Sequence, residues 1–456
     1  MRIRDNLQAV VIGLGVAGLS VVRYLVARGA RVRVSDKCDM NRIEPTTLAW
    51  LREHGVELEC GGHTVAFLVD ADVVIPGPGI PLDLPVLQAA RAQGIRILGE
   101  LALAAGLYQA PVIAVTGSNG KTTVTSLIGH LLRAAGRTPF VGGNIGMPLL
   151  EYFSRPDQYD AVVLELSSFQ LDLAGSFRPD IGLLLNLTPD HLDRHKTFAA
   201  YADAKMKLFS HQRAGDCAIL GADDQMTAAV PLCDGVRRYA FGSGEECAAR
   251  IIDDRLELYI EEGGVRRKER FDLGATRLHS SVNRLNAAAA VLAATQLGCD
   301  TEAVSNGLRS FEPPPHRMAE VADIDGVRFV NDSKATNIGA LEAALGGCEA
   351  SVVLIAGGRD KGSDYTVLRD VVGRKVKHLI LLGEAAEMMR TALETVVVTE
   401  TAGSMAEAVR MAMAAAVKGD LVLLAPGCSS FDMFSGYEER GRIFVEQVLR
   451  LGRAGQ

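Results

Sequence analysis

The apolar run Val112-Ile113-Ala114-Val115 leads directly into Thr116-Gly117-Ser118-Asn119-Gly120-Lys121-Thr122-Thr123, and a helical pattern follows at once. A strand, a glycine turn and a helix in this order aim backbone N–H groups at one point on a helix N-terminus, where they hold an anion. Lys121 can neutralise terminal phosphates, and the Thr122 hydroxyl is placed for magnesium. Two residues separate Gly117 from Gly120, fewer than in the standard phosphate loop. A plain glycine turn has no need of Gly-Lys-Thr-Thr at such a junction, so polyphosphate binding is the stronger reading.

Short apolar runs alternate with helical patterns along most of the 456 residues, the mark of an α/β chain with largely parallel sheets. The rhythm restarts twice. Gln8 to Gly13, Arg31 to Asp36 and Ala71 to Pro76 form a first unit ending near Gly99. Val112 opens a second, and a third follows Pro313-Pro314-Pro315, which can continue neither a helix nor a central strand. Three domains are expected, at 1–99, 100–313 and 314–456. Between Asp216 and Leu278 shorter alternating segments suggest a β extension of the middle domain, with a hairpin turning at Gly263-Gly264. No internal repeat or low-complexity segment is evident.

The net charge of −7 removes the broad positive field that sequence-independent nucleic-acid binding requires. The eight cysteines form no Cys-x-x-Cys pair, so packed, reduced thiols are expected rather than zinc ligands. No apolar run is long enough to span a bilayer, and the N-terminus does not read as a signal peptide, so a cytoplasmic protein is expected.

Other motifs sit at strand ends. Gly13-Leu14-Gly15-Val16-Ala17-Gly18, with Asp36 closing the next strand, is a full dinucleotide fingerprint. It leaves the nucleotide open, and a nicotinamide-dependent dehydrogenase is one reading. Glu165 ends the run Ala161 to Leu166, and His191 follows Ile181 to Leu185, so Thr122, Glu165 and His191 could converge on one magnesium nucleotide. A helix capped by Thr197 and running to about His211 carries Lys205 on the apolar stripe of Phe198, Tyr201, Ala202, Leu208 and Phe209. That ammonium must pair with an acid, become a reactive neutral amine, or snorkel to water. The third domain carries three polar loops, 331–337, 357–362 and 426–432, together with His316-Arg317 after the prolines. Lys361, Thr336 and Ser430 suit a small substrate bearing a carboxylate, and the domain is expected to close over the nucleotide.

These motifs together resemble the Mur ligases, ATP-dependent enzymes of bacterial cell-wall synthesis, over nearly the whole chain. The two-residue glycine spacing is that family's form. Glu165-Leu166-Ser167-Ser168-Phe169-Gln170-Leu171 and Asn331-Asp332-Ser333-Lys334-Ala335-Thr336-Asn337 are similar to the member that adds D-glutamate. The resemblance implies Rossmann-like first and third domains around a P-loop ATPase-like centre. It implies ligation of D-glutamate to UDP-N-acetylmuramoyl-L-alanine by a monomer through an acyl phosphate. Gly13, Leu14, Gly15, Val16, Asp36, Lys37, Asn144 and His191 would hold the UDP substrate in place of a nicotinamide nucleotide. Gly117 to Thr123, Asn286, Arg317, Asp332 and Lys334 would hold ATP. Two magnesium sites would use Thr122, Glu165, His191 and a carbamylated Lys205. Thr336, Lys361, Ser430 and Tyr437 would hold D-glutamate, with phenylalanine the family's usual residue at the last. Lys121, Glu165, His191, Lys205 and His316 would be catalytic.

Overall fold

The computed structural model describes residues 6–262, 265–278 and 280–454. Three sheets follow one another along the chain. The first contains β1 (Gln8–Ile12), β2 (Arg31–Asp36), β3 (Glu57–Cys60), β4 (Val73–Pro76) and β5 (Arg96–Ile97), all parallel, in the order β3-β2-β1-β4-β5. The sheet therefore reverses its winding direction between β1 and β4, where α/β sheets open a crevice at their carboxyl ends.

The second sheet has nine strands: β6 (Val112–Thr116), β7 (Pro139–Gly143), β8 (Ala161–Glu165), β9 (Ile181–Leu184), β10 (Cys217–Gly221), β11 (Arg237–Gly242), β12 (Ala249–Ile252), β13 (Arg255–Glu262) and β14 (Val265–Asp272). Their order is β14-β13-β12-β11-β10-β9-β6-β8-β7. The β extension is thus the continuation of the parallel sheet, and only β13 and β14 run antiparallel to their neighbours. The expected turn at Gly263-Gly264 lies outside the described residues, and the strands beside it pair as a hairpin. All of Val112–Thr116 is buried, as a β-branched central strand covered on both faces must be. The alanine-rich helix Ser281–Gln296 lies against this sheet and the helix Lys121–Ala134, its small side chains allowing close approach.

The third sheet contains β15 (Ala319–Ile324), β16 (Val327–Asn331), β17 (Val352–Gly357), β18 (Val376–Leu382), β19 (Val398–Thr401) and β20 (Leu421–Leu424), in the order β15-β16-β20-β17-β18-β19. Because β16, β20 and β17 are neighbours, the loops at 331–337, 426–432 and 357–362 leave the sheet side by side.

The helix capped by Thr197 is shorter than its pattern suggests. It is α-helical over Phe198–Met206 and tightens over Lys207–Phe209, short of His211. Gln212 draws the chain back by donating to the carbonyls of Pro179 (3.3 Å) and Cys217 (2.9 Å). All eight cysteines are free.

One apolar core runs without a break from Val11 and Leu25 of the first domain through Leu101 and Leu103 to Phe140 and Tyr152 of the second. Buried in this junction, Glu100 accepts a hydrogen bond from Gln170 Nε2 at 2.7 Å, while its Oε2 has no partner. Burial pushes its pKa up to about 7. An unfolded chain ionises this carboxyl near 4.5, so stability falls as pH rises from there to about 7 and changes no further above it. Glu100→Gln keeps an acceptor for Gln170 and removes the ionisation. The gap in melting temperature, variant above wild type, should widen between pH 5 and 7 and then level off; a gap independent of pH would contradict the assignment.

Candidate active site

Gly117 and Gly120 have φ of +151° and +84°, and a Cβ on Gly120 would stand 2.3 Å from Asn286 Oδ1. The turn is held by the segment after β9: Ser118 N–H donates to the Asn186 carbonyl (2.9 Å), Asn119 N–H to Asn186 Oδ1 (2.8 Å), and Thr188 N–H to Ser118 Oγ (2.9 Å). Lys121 curls over this loop, its Nζ 2.8 Å from the carbonyls of Gly117 and Ser118. Burial holds its pKa below the ordinary lysine value.

The neighbouring strand ends converge as their order requires. A cleft of about 620 Å³ is lined by Lys121, Thr122, Asn144, Glu165, His191 and Lys205 from the second domain, and by Arg317, Lys334, Thr336 and Tyr437 from the third. Glu165 is 1% exposed; Asn144 Nδ2 donates to its Oε1 at 2.8 Å, and its Oε2 has no partner. His191 occupies a left-handed turn at φ +55°, and burial pulls its pKa down to about 4, leaving a neutral imidazole.

Lys205 does not snorkel. It is 1% exposed, donates to the Gly117 carbonyl at 2.8 Å, and sits 4.8 Å from the Tyr201 ring. No ion pair to an acid reaches it among the described residues, and burial lowers its pKa well below the ordinary value. Of the three readings of its sequence position, snorkelling and an acid partner are not seen among the described residues, and burial works against the charged form.

Beside the cleft, Asn119, Gly120, Thr123, Asn286, Arg317, Asp332 and Lys334 line a smaller pocket between the helix Ser281–Gln296 and the third domain. Burial pushes the Asp332 carboxyl up to about 7 and brings Lys334 down to about 8. On the other side, Lys334, Thr336, Arg359, Lys361, Ser430 and Tyr437 line a third pocket, together with the acids Asp360 and Glu438. Lys334 Nζ lies 3.9 Å from the Tyr437 ring. His316 belongs to neither lining: it packs against Gly441, receives Asn331 Nδ2 at 3.0 Å, and meets Tyr437 edge-on.

The expected UDP-substrate residues are split. Gly13, Leu14, Gly15, Val16, Asp36 and Lys37 lie at the ends of β1 and β2, whereas Asn144 and His191 lie in the cleft. A Cβ on Gly18 would stand 1.9 Å from the Gly13 carbonyl oxygen, so glycine is required there. Asp36 accepts from the N–H groups of Leu14 (2.5 Å) and Cys38 (2.7 Å). Burial raises its pKa, but these donors outweigh it and hold the carboxyl below its ordinary value. The loop after β4 links the two regions, since Arg194 donates to the Ile80 carbonyl at 2.7 Å.

Residues 7–99 match the family described as Mur ligase MurD-like, N-terminal domain; residues 115–294 match the Mur ligase middle domain; residues 316–428 match the Mur ligase, glutamate ligase domain. The UDP-N-acetylmuramoylalanine--D-glutamate ligase of Desulfotalea psychrophila is 46% identical over 445 residues, covering 98% of this chain and 96% of its own. That of Syntrophotalea carbinolica is 41% identical, with 97% of both chains covered. The chain belongs to the Mur ligase family. Its fold is also that of a pseudomurein peptide ligase type C from Methanothermus fervidus, with a TM-score of 0.60, 19% identity and 97% and 100% coverage. A MurF ligase from Thermotoga maritima in complex with ADP gives 0.59 at 16% identity, covering 98% of this chain and 96% of its own.

Two residues of this Mur ligase site escaped the sequence reading. Asp190, 8% exposed, joins the second domain to the third through Lys361 Nζ (3.3 Å) and Asn337 Nδ2 (2.9 Å). Arg440, 2% exposed, donates to the carbonyls of Ser333 (2.9 Å), Cys428 (3.1 Å) and Ser429 (3.3 Å), tying together two of the adjacent loops. The one available signal for Asp190 was its place beside His191; Arg440 lies on a helix whose pattern gave none.

A divalent cation fits here. The Glu165 Oε2 faces a polar cleft without a partner, an arrangement costing about 1–3 kcal/mol if left so. No cluster of three His, Cys, Asp or Glu side chains exists among the described residues, so a cation would draw ligands from substrate phosphates and water, as magnesium does. For the loop itself, a β-carbon in the left-handed region costs about 1–2 kcal/mol before any clash. Gly120→Ala should therefore weaken ADP binding by about tenfold or more in calorimetry; undiminished affinity would exclude the loop from the nucleotide site.

Proposed function

We propose that this Mur ligase joins D-glutamate to UDP-N-acetylmuramoyl-L-alanine with hydrolysis of ATP to ADP and phosphate, in peptidoglycan precursor synthesis. The observation carrying the reading is one cleft where a phosphate loop, a buried carboxylate with a free oxygen and a cationic pocket meet across two domains. It agrees with the names of the relatives. The proposed division of labour follows boundaries near 99 and 313, with a UDP-binding first domain, an ATP-binding second and an amino-acid-binding third. No helix among the described residues is long and apolar enough to cross a membrane; a cytoplasmic monomer is part of the proposal.

In the first half of the reaction the substrate carboxylate attacks the γ-phosphorus of ATP, giving an acyl phosphate and releasing ADP. The loop N–H groups at 117–122 and the Lys121 ammonium stabilise the charge on the moving phosphoryl group. Asn286, Arg317, Asp332 and Lys334 are assigned to the nucleoside and phosphates, and Asn144 and His191 to the muramoyl end. Magnesium held through Thr122 and Glu165, with a second ion near His191 and Lys205, would supply further charge neutralisation. In the second half the unprotonated D-glutamate amine attacks the acyl carbon, the carbon–oxygen bond to phosphate breaks, phosphate leaves, and the new amide nitrogen loses a proton to water. Thr336, Lys361, Ser430 and the Tyr437 region are assigned to the amino acid. His316 we assign to shaping this pocket through Tyr437.

Burial of Lys205, which works against its charged form, supports carbamylation: the unprotonated nitrogen adds to the carbon of carbon dioxide and one proton is released, leaving an anionic carbamate near Glu165.

The deciding measurement is phosphate release with ATP, magnesium and UDP-N-acetylmuramoyl-L-alanine. Release that requires D-glutamate and yields a product heavier by one glutamyl residue is expected; release with another amino acid instead would preserve the ATP site and change the substrate. Lys121→Ala should lower turnover by at least about a hundredfold. Lys205→Ala should lose activity and regain part of it with a short carboxylate such as acetate, and absence of rescue would count against the carbamate.

A further inference from the structure

The Asp190–Lys361 pair lies on the border between two cavities. Lys361 faces the pocket with Thr336 and Ser430, Asp190 faces the cleft with Glu165 and Lys205, and His191 lines both. The pair is 3.3 Å apart, with 22% of the Lys361 side chain and 8% of the Asp190 side chain exposed. The rest of Asp190 is fixed: Oδ1 accepts the His191 N–H at 2.9 Å, and Oδ2 accepts Asn337 Nδ2 at 2.9 Å. Among the described residues, the carboxylates lining the amino-acid pocket belong to Asp360 and to Glu438, which also lines the cleft. Asp360 is turned away into the Tyr365 hydroxyl and the N–H groups of Gly362 and Ser363.

A preformed cation and anion this close are the complement of an α-amino acid, whose carboxylate and ammonium are separated by one carbon. We propose that Asp190 is the anchor for the ammonium of the incoming amino acid, with Lys361 taking the α-carboxylate. This deepens the ligase reading and rests on it. The polarity has a consequence for the chemistry. Because Lys361 is on the pocket side and Asp190 on the cleft side, a zwitterion replacing the internal pair turns its nitrogen toward the cleft. That is where the acyl phosphate forms in the proposed reaction. Asp190 therefore selects amino acids over acids lacking the amine and, once the bound ammonium has given up one proton to water, holds the resulting neutral amine with its lone pair toward the cleft, while the internal ion pair keeps both groups in place beforehand.

Asp190→Asn preserves shape and acceptor capacity while removing the charge, and Asp190→Ser serves should the first variant fail to fold. Two probes separate an ammonium anchor from an interdomain strut. Glutarate, which has both carboxylates and no amine, should inhibit the variant at least as well as the wild type, while KM for D-glutamate rises at least tenfold. Parallel weakening of glutarate and D-glutamate would make Asp190 a strut only, and an unchanged KM would remove it from the amino-acid site. Hydroxylamine, a neutral amine without a carboxylate, reports on the first half-reaction. Hydroxamate formation should fall at least tenfold less than kcat/KM for D-glutamate, and an equal fall would overturn the proposal. If the wild type forms neither hydroxamate nor the glutamyl product from UDP-N-acetylmuramoyl-L-alanine, the ligase reading itself fails.

Discussion

The placement of β6 between β8 and β9 is the constraint from which the site follows. Parallel neighbours end on the same side, so the phosphate loop after β6, Glu165 at the end of β8 and the Asn186 to His191 segment after β9 must open together. The local bonds then fix what the topology brings near. Asn186 and Thr188 hold the loop from one side, and Asn144, at the end of β7, holds Glu165 from the other. No long excursion of chain is needed, because each functional side chain is within a few residues of a strand end.

Charge is then distributed unevenly around this opening. Lys121, Lys205, Arg317 and Lys334 all have pKa values lowered by burial, because loss of hydration works against the charged form of each. The acids lining the cleft are Glu165, Asp190 and Glu438, and Asp332 in the neighbouring pocket is pushed up to about 7. Such a cavity favours ligands that bring negative charge, and a nucleoside triphosphate together with two carboxylate substrates brings it in quantity. Folding alone does not reward this arrangement, since each buried cation loses hydration that a carbonyl only partly replaces.

The readable parts of this site were those in which one residue type does one physical job at a fixed spacing. Gly117, Gly120, Lys121 and Thr122 were legible because a phosphate loop admits little else, and Lys205 was legible as an anomaly because helical periodicity put an ammonium on an apolar stripe. Asp190 and Arg440 were not. Their roles depend on partners far away in sequence: Lys361 is 171 residues from Asp190, and Arg440 reaches Ser333 over 107. An acid beside a histidine or an arginine in a polar helix carries no periodic signature, so only the assembled sheets reveal them. The same holds for Gln212, whose bonds to two backbone carbonyls end the Lys205 helix early. The strand count in the second sheet was blurred for a related reason, since β10 to β12 are short segments whose parallel pairing is set by neighbours rather than by local pattern.

The way the domains are joined suits this chemistry. The first and second share a continuous apolar core through the segment after Gly99, so the glycine loop at 13–18 and the phosphate loop are held at a fixed relation. The third domain has apolar clusters of its own and reaches the second through polar groups, among them Asn337 with Asn119 and Asp190, and Lys361 with Asp190. Apolar burial across a junction resists separation in proportion to its area, whereas a few hydrogen bonds and one ion pair are readily exchanged for water or ligand. A molecule that must keep one substrate aligned while admitting two others, and release products afterwards, benefits from a rigid first junction and an exchangeable second. The polar seam borders the pocket proposed for the amino acid, so in that proposal the groups that hold the domains together before binding are the same groups that binding would redirect.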